Sequence, residues 1–465
     1  MATVLTPRFD PELITRYDVP GPRYTSYPTA PHFGPTFGEH PLVEAAQRSN
    51  HARPARPLSL YVHVPFCASP CFYCGCNRII TRDTSRADRY LAYLDIEASL
   101  LGPLFDESRP VRQLHLGGGT PNFLDIQRMG VLMGSLREYF SFAGDGEHEF
   151  GIEVDPRFAD ADYIRGLAAL GFNRLSLGVQ DLDPGVQKAV NRVHDVDTVR
   201  GLMQAAREAG FRSISMDLIY GLPQQDVARF SHTLEQVIEL APDRIATYSY
   251  AHLPSLFKAQ RRLERSELPD AATKLALFGR TLELLTTAGY QYVGMDHFAL
   301  SDDDLVRAQR EGTLQRNFQG YSTCGDCDIV GLGVSAIGRI DDTYSQNHRD
   351  LKDYTAALDH GHLPVARGHR LDADDLIRRD AIGELMCYDR LDMAAFGARH
   401  HIDFASYFAH AIERLSPLQR DGLVTIDHGC IEVTPRGRLL LRHVAMCFDA
   451  YLHGEDVPQR YSRAI

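Results

Sequence analysis

Cys67, Cys71 and Cys74 stand at C-x3-C-x2-C in the segment YVHVPFCASPCFYCGCN. A tight loop with three thiolates can hold three irons of a [4Fe–4S] cube and leave the fourth without a protein ligand. An open iron of this kind binds a substrate or cofactor directly. Zinc instead takes two C-x2-4-C pairs or a cysteine and histidine mixture, and no second half at that spacing follows within the usual distance. A disulfide framework fits poorly with 9 cysteines, an odd number, in a long chain that starts MATVLTPRFDPEL without a signal-peptide core. The spacing therefore favours the cluster. Cys76 follows Cys74 at C-x-C, but a fourth cysteine ligand would close the reactive iron, so it is read as a neighbour of the site and not a ligand.

Other polar groups share that neighbourhood. LHLGGGTP brings Gly117, Gly118 and Gly119, whose backbone N–H groups can approach a ligand more closely than a residue with a side chain allows. IEVDP and GVQD place Glu153 and Gln180 at the ends of apolar runs. Three successive runs ending in this way point to convergent contacts with a small zwitterion.

The elements that position these residues are legible from periodicity. Apolar runs predict strands at 58–64, 113–116, 150–154, 174–179, 213–219, 245–250 and 292–295. Between them Leu91, Leu94, Ala98 and Leu101 share one helix face, as do Val199, Leu202 and Ala206. Gly171-Phe172, Gly210-Phe211 and Gly289-Tyr290 read as left-handed helix ends leading into the next strand. Repeated βα units mean an α/β fold whose parallel sheet curves into a full or partial barrel, with ligands at the C-terminal strand ends.

Residues 1–57 form an irregular arm, GPRYTSYPTAPHFGP, and a linker, RPARP at 53–57; the arm is either a surface wrap or a ligand contact through Arg23, Tyr24 and Tyr27. Residues 58–370 form the catalytic domain. Residues 371–465 turn helical, with a hairpin over 423–433 and a helix from about Arg436, in the manner of a winged helix. Residues 411–465 carry 7 Lys/Arg and 7 Asp/Glu, and the whole chain of 465 residues has a net charge of −12, which argues against nucleic acid as a partner. No run of 18 apolar residues occurs, so a soluble, cytoplasmic protein without a membrane span is expected.

The chain resembles the radical S-adenosylmethionine enzymes and, within them, the oxygen-independent coproporphyrinogen III oxidase (dehydrogenase) family. The likeness rests on PRYTSYPTA, YVHVPFC with CGCN, GGGTP, IEVDP, NRLSLGVQD, DLIYGLP, YAHLP, GMDHF, RNFQGY and GVSAI, spread over nearly the whole chain. It implies a partial (β/α)6 radical-SAM barrel extended by further strands, with an N-terminal arm and a mostly helical C-terminal domain. It also implies that Cys67, Cys71 and Cys74 hold the [4Fe–4S] cluster, whose open iron chelates S-adenosylmethionine. An electron from the cluster would cleave that sulfonium to a 5′-deoxyadenosyl radical, which abstracts hydrogen from a propionate of coproporphyrinogen III. Two rounds of decarboxylation would give protoporphyrinogen IX in haem biosynthesis.

By matched position, Tyr61, Gly118 and Glu153 would contact the cluster-bound S-adenosylmethionine, with Glu153 on its ribose. Tyr73, Gly119, Thr120, Gln180, Arg192, Asp217, Ala251 and Ile337 would line a second molecule, Tyr73 either on the purine or packed in the core. Four propionates in an acidic protein call for arginine, and Arg23 is the candidate. An electron donor, an electron acceptor and a monomeric state belong to the same expectation. GLGVSA at Gly331 imitates a dinucleotide fingerprint without its acidic partner. Cys324 and Cys327 fall outside the family pattern and read as packing cysteines, a metal site or a redox pair. Cys387, Cys430, Cys447, His115 and His297 read as core residues. The rival reading is a haem chaperone of the same superfamily, but those relatives generally lack the PRYTSYP arm and the Cys76 equivalent. A radical RNA-modifying enzyme is disfavoured by the acidic composition.

Overall fold

The computed structural model describes residues 6–52, 54–144, 146–452 and 461, so Arg53 of the linker and most of 453–465 lie outside the described residues. Contacts group the chain into two compact units. One holds Phe33–Pro269 and Asp326–Arg370; the other holds the chain up to His32, Asp270–Gly325 and Leu371–Ile465. The cut at 370/371 is common to this division and the one read from sequence, whereas 270–325 and the first 32 residues are grouped with the tail.

In the first unit six strands, β1 (Leu58–Val64), β2 (Val111–Gly118), β3 (Glu149–Val154), β4 (Arg174–Gln180), β5 (Ser213–Tyr220) and β6 (Arg244–Ser249), pair parallel in that order. Five helices alternate with them: α1 (Ser85–Leu101), α2 (Ile126–Tyr139), α3 (Ala161–Ala169), α4 (Val196–Glu208) and α5 (Val227–Leu240). β7 (Asp328–Leu332) lies parallel on the other side of β1, and β8 (Ile337–Ile340), β9 (Thr343–Asn347) and β10 (Val365–Arg370) continue antiparallel. This is the expected partial (β/α)6 barrel extended by further strands.

Local chemistry sets the helix ends. Asp125, Asp160, Asp195 and Asp226 each accept a backbone N–H in the first turn of α2, α3, α4 and α5. Gly171 and Gly210 take φ of 100° and 85°, and the residues after them, Phe172 and Phe211, donate N–H back to Leu167 and Ala206 at 3.1 and 3.0 Å. Gly289 does the same in the other unit, with φ 92° and a Tyr290 to Leu285 bond of 3.0 Å.

On β4 and β5 the alternation separates two faces. Leu175, Leu177, Val179, Ile214, Met216 and Leu218 are buried, while Ser176, Gly178, Gln180, Ser215 and Asp217 are half-buried on the opposite face. The apolar face meets the helices, so the polar face is left to line the barrel.

The second unit has a helix at Ala271–Thr287, an antiparallel pair Gln291–Gly294 and His297–Ala299, and a C-terminal run of winged-helix order. That run is helix Ala373–Tyr388, strand Arg390–Asp392, helices Met393–His400, Phe404–Tyr407 and Ala409–Arg420, then strands Val424–Asp427 and Cys430–Val433. The arm is no surface wrap: Tyr24 and Tyr27, 4% and 2% exposed, enter the same core as Phe396, Phe408, Leu415 and Phe448. None of the nine cysteines is in a disulfide, and Cys387, Cys430 and Cys447 are buried as expected. Among the described residues no helix is long and apolar enough to cross a membrane.

Candidate active site

β1 runs straight into the three-cysteine loop. Its base is closed by Phe66–Cys67 pairing with Ile79–Ile80, and Thr81 N donates to Cys67 O at 2.9 Å. Higher up, Phe72 N donates to Val190 O at 3.0 Å, Asn191 Nδ2 to Pro70 O at 2.6 Å, and Gln260 Nε2 to Tyr73 O at 2.8 Å. Every segment between the cysteines is therefore tied to the barrel.

Cys67, Cys71 and Cys74 open on one cavity with Tyr73, Gly118, Gly119, Thr120, Glu153, Gln180, Arg192 and Asp217. Three positions expected at the site do not line it. Tyr61 lies on β1 with its ring stacked on His115, centroids 6.1 Å apart; Ala251 is exposed just beyond β6; Ile337 begins β8 half-buried. Tyr73 both lines the cavity and packs against Val186, Val190, Leu222 and Tyr250. Arg23 lies in the second unit, ion-paired with Asp296. His297 meets Tyr321 edge-on there, at 5.3 Å between centroids.

Close approach explains the glycines. A Cβ on Gly119 would lie 2.7 Å from the Pro65 carbonyl, and Gly118, at φ 114°, would place one 2.6 Å from the His63 ring. Gly119 N is already committed to Val64 O at 2.8 Å. The glycines thus seat β2 against the start of the cluster loop.

Each sulfur has a donor. Thr120 Oγ1 lies 3.2 Å from Cys67 Sγ, and the Cys76 backbone N 3.4 Å from Cys74 Sγ. Cys71 Sγ receives Arg157 Nη2 and Arg192 Nη1, both at 3.3 Å. The Cys76 side chain, with Arg78 nearby, pulls the Cys74 thiol down to about 6 despite burial. Burial pushes Cys67 up to about 11, partly offset by Thr120. Asp155 accepts from both arginines, Arg157 Nη2 at 2.7 Å and Arg192 Nη1 at 2.9 Å. Burial works against its charged form, but Arg192 and Arg157 outweigh that and hold it below the ordinary carboxylate range.

Deeper in the barrel, His115 Nε2 lies 3.2 Å from Glu153 Oε1, and Ser176 Oγ donates to Asp217 Oδ2 at 3.0 Å. Burial, then the charge of Glu153, pushes Asp217 up to about 7. From sequence alone His115 reads as a core residue, and nothing local singles out Arg157 or Asp155. His115 was findable, because cross-strand register pairs it with Tyr61. The contact of Arg157 with Cys71 spans 86 residues and leaves no local signal.

Among the described residues no three His, Cys, Asp or Glu side chains converge closely enough to hold one metal ion. Thiolates that each bind a separate iron of a cube stand farther apart than the ligands of a single zinc. The donor set, three cysteines with hydrogen bonds to every sulfur and a cavity carrying both charge signs, fits a cluster with a zwitterion beside it.

A parallel partial barrel whose first strand feeds a three-cysteine loop defines the radical S-adenosylmethionine class, and the profile of that superfamily matches residues 61–237. The HemN C-terminal domain profile matches residues 371–440. The oxygen-independent coproporphyrinogen III oxidase of Escherichia coli is 49% identical to this chain over 98% of each, and that of Pseudomonas aeruginosa 48% identical over 99% of each. The solved structure of the Escherichia coli enzyme superposes with a TM-score of 0.91 at 48% identity, covering 96% of this chain and 100% of the other. The chain belongs to the oxygen-independent coproporphyrinogen III oxidases, which separates it from the haem chaperones of the same superfamily. A [4Fe–4S] cluster and S-adenosylmethionine come with that membership.

Proposed function

We propose that this chain oxidatively decarboxylates two propionate side chains of coproporphyrinogen III to vinyl groups, giving protoporphyrinogen IX in haem biosynthesis. The observation that carries the reading is the convergence of three cysteines and the strand-end polar groups on one cavity, in a chain that aligns end to end with the oxidases. When bound, the cluster and S-adenosylmethionine supply the radical that removes a propionate hydrogen.

The protein's part is binding and orientation. Cys67, Cys71 and Cys74 hold three irons, and Gly118 and Glu153, which line the cavity, serve the S-adenosylmethionine beside the cluster, with Tyr61, which does not line it, assigned by the family resemblance alone. A second molecule is served by Tyr73, Gly119, Thr120, Gln180, Arg192 and Asp217, which line the cavity, with Ala251 and Ile337, which do not line it, assigned by the family resemblance alone. Two half-buried carboxyl groups on neighbouring parts of the barrel, Glu153 on β3 and Asp217 on β5, support two ribose sites in place of one. Arg23 is the proposed propionate contact. An external electron donor and acceptor, a cytoplasmic location and a monomeric state complete the proposal.

The test is anaerobic turnover of cluster-reconstituted protein with coproporphyrinogen III, reductant and S-adenosylmethionine. Protoporphyrinogen IX and 5′-deoxyadenosine are expected together, both lost in Cys71→Ala. Deoxyadenosine without the porphyrin product would overturn the substrate. Equilibrium dialysis reads two bound S-adenosylmethionine molecules per chain; one would overturn the second site.

A further inference from the structure

The three cysteine sulfurs are not equivalent. Cys67 and Cys74 receive neutral donors, the Thr120 hydroxyl and the Cys76 backbone N–H, whereas Cys71 receives two guanidinium groups. Arginine is charged at every accessible pH and holds its donors in a rigid fork. The single carboxylate of Asp155 sits against both, so two cations and one anion leave one net positive charge beside Cys71.

Arg157 is the residue of this group that no cofactor contact accounts for. Its Nη2 faces Cys71 Sγ and Asp155 Oδ2, its Nε donates to Asp155 Oδ1 at 3.0 Å, and its Nη1 donates to Asn191 O at 3.0 Å. Asn191 in turn holds the cluster loop through Pro70 O. The fork thus reaches Cys71 directly through Nη2 and the cluster loop indirectly through Nη1 and Asn191, while Nε and Nη2 anchor it on Asp155.

We propose that Arg157 is a positioning residue that acts through Cys71 to raise the reduction potential of the cluster, with Asp155 setting how much of its charge the cluster feels. Hydrogen bonds to cluster sulfurs and net charge nearby are two of the main determinants of iron–sulfur potentials. Reduction adds one negative charge to the cube, which a cation close to one ligand stabilises and a buried anion opposes. The inference rests on the cluster reading and is independent of the substrate.

The experiment is an EPR-monitored redox titration of the reconstituted holoprotein without S-adenosylmethionine or substrate, together with iron content. Arg157→Gln is expected to keep its iron and shift the midpoint to more negative potential. At the wild-type midpoint its reduced-to-oxidised ratio should fall about tenfold, equivalent to about 59 mV for one electron. Asp155→Asn should shift the midpoint the other way, because it removes the offsetting anion. Arg157→Lys, which keeps the cation but not the fork, should fall between wild type and Arg157→Gln. An unmoved midpoint in iron-replete Arg157→Gln, or shifts of the same sign in Arg157→Gln and Asp155→Asn, would overturn the proposal. If neither Arg157 variant holds iron, the sign of the Asp155→Asn shift decides it alone: positive supports, zero or negative overturns. Wild-type protein that takes up no cluster would instead remove the reading on which the proposal stands.

Discussion

The hydroxyl of Tyr354 donates to Glu97 Oε2 at 2.6 Å, in a site where Glu97 is 1% exposed. The same carboxyl accepts Gly333 N at 2.7 Å and Asn347 Nδ2 at 2.6 Å. One ring away, Tyr90 Oη donates to His63 O at 2.8 Å and accepts from Val334 N at 2.9 Å. Two side chains of α1 therefore hold the turn that delivers Ile337, which contains Ser335 at φ 62°, against the end of β1. Glu97→Ala would leave the Tyr354 hydroxyl and Gly333 N without an acceptor, and Asn347 Nδ2 with only the Gly333 carbonyl at 2.9 Å, and should destabilise by about 3 kcal/mol. Denaturant midpoints of the two proteins measure this, and a loss below about 0.5 kcal/mol would contradict it.

Glu97 also titrates in an unusual range. Burial raises it from 4.5 to about 7, the three hydrogen bonds opposing. A folded-state value above the unfolded one means the native protein holds the proton more tightly. The resulting stabilisation is complete below about pH 4.5 and disappears as pH rises to about 7, amounting to about 3 kcal/mol at most. Asp217, raised from 3.8 to about 7, acts with the same sign. Unfolding free energies of wild type minus Glu97→Gln, followed from pH 4.5 to 7.5, should therefore decline with rising pH; a flat difference would refute the assignment.

Cys76 tests the ligand count. It stands beside Cys74 as a hydrogen-bond neighbour, and the cube needs only three cysteines to keep one iron open. Cys76→Ala should retain about four irons per chain after reconstitution. Cys71→Ala should lose most of its iron. Equal losses in the two variants would make Cys76 a ligand.

His115 stacks on Tyr61 and hydrogen-bonds Glu153, the residue proposed for the ribose of the cluster-bound S-adenosylmethionine. His115→Phe keeps the stack and removes the hydrogen bond. The expected effect is a weakening of S-adenosylmethionine binding by about tenfold, about 1.4 kcal/mol, measured by equilibrium dialysis on cluster-loaded protein. Unchanged affinity would show that Glu153 is oriented without it.

Much of the barrel was legible because its signals are local. Each of the strands β1 to β6 falls where an apolar run was read, whereas the parallel strand β7 was not read, and Gly171, Gly210 and Gly289 end helices in the predicted left-handed geometry. The three cysteines, picked out by spacing, share one cavity with Tyr73, Gly118, Gly119, Thr120, Glu153, Gln180, Arg192 and Asp217, picked out by family position, whereas Tyr61, Ala251 and Ile337 do not line it. What stayed hidden depends on pairs remote in sequence: Arg157 with Cys71, Glu97 with Tyr354, and Tyr24 with Asp449, whose hydroxyl to carboxylate bond of 2.9 Å draws the arm into a core. The arm stayed open between a surface wrap and a ligand contact because glycine and proline report turns, and composition alone does not say whether a turn is covered.

The aspartates at the starts of α2, α3, α4 and α5 carry one more consequence. In a parallel βα barrel these helix starts share an end with the C-terminal tips of the strands, where ligands gather. The partial positive charge that a helix start offers an anion is, at each of these four, already answered by an attached carboxylate. A polycarboxylate arriving at this rim meets four occupied sockets, so these four helix starts offer it no free positive end and its charge must be balanced by groups outside them.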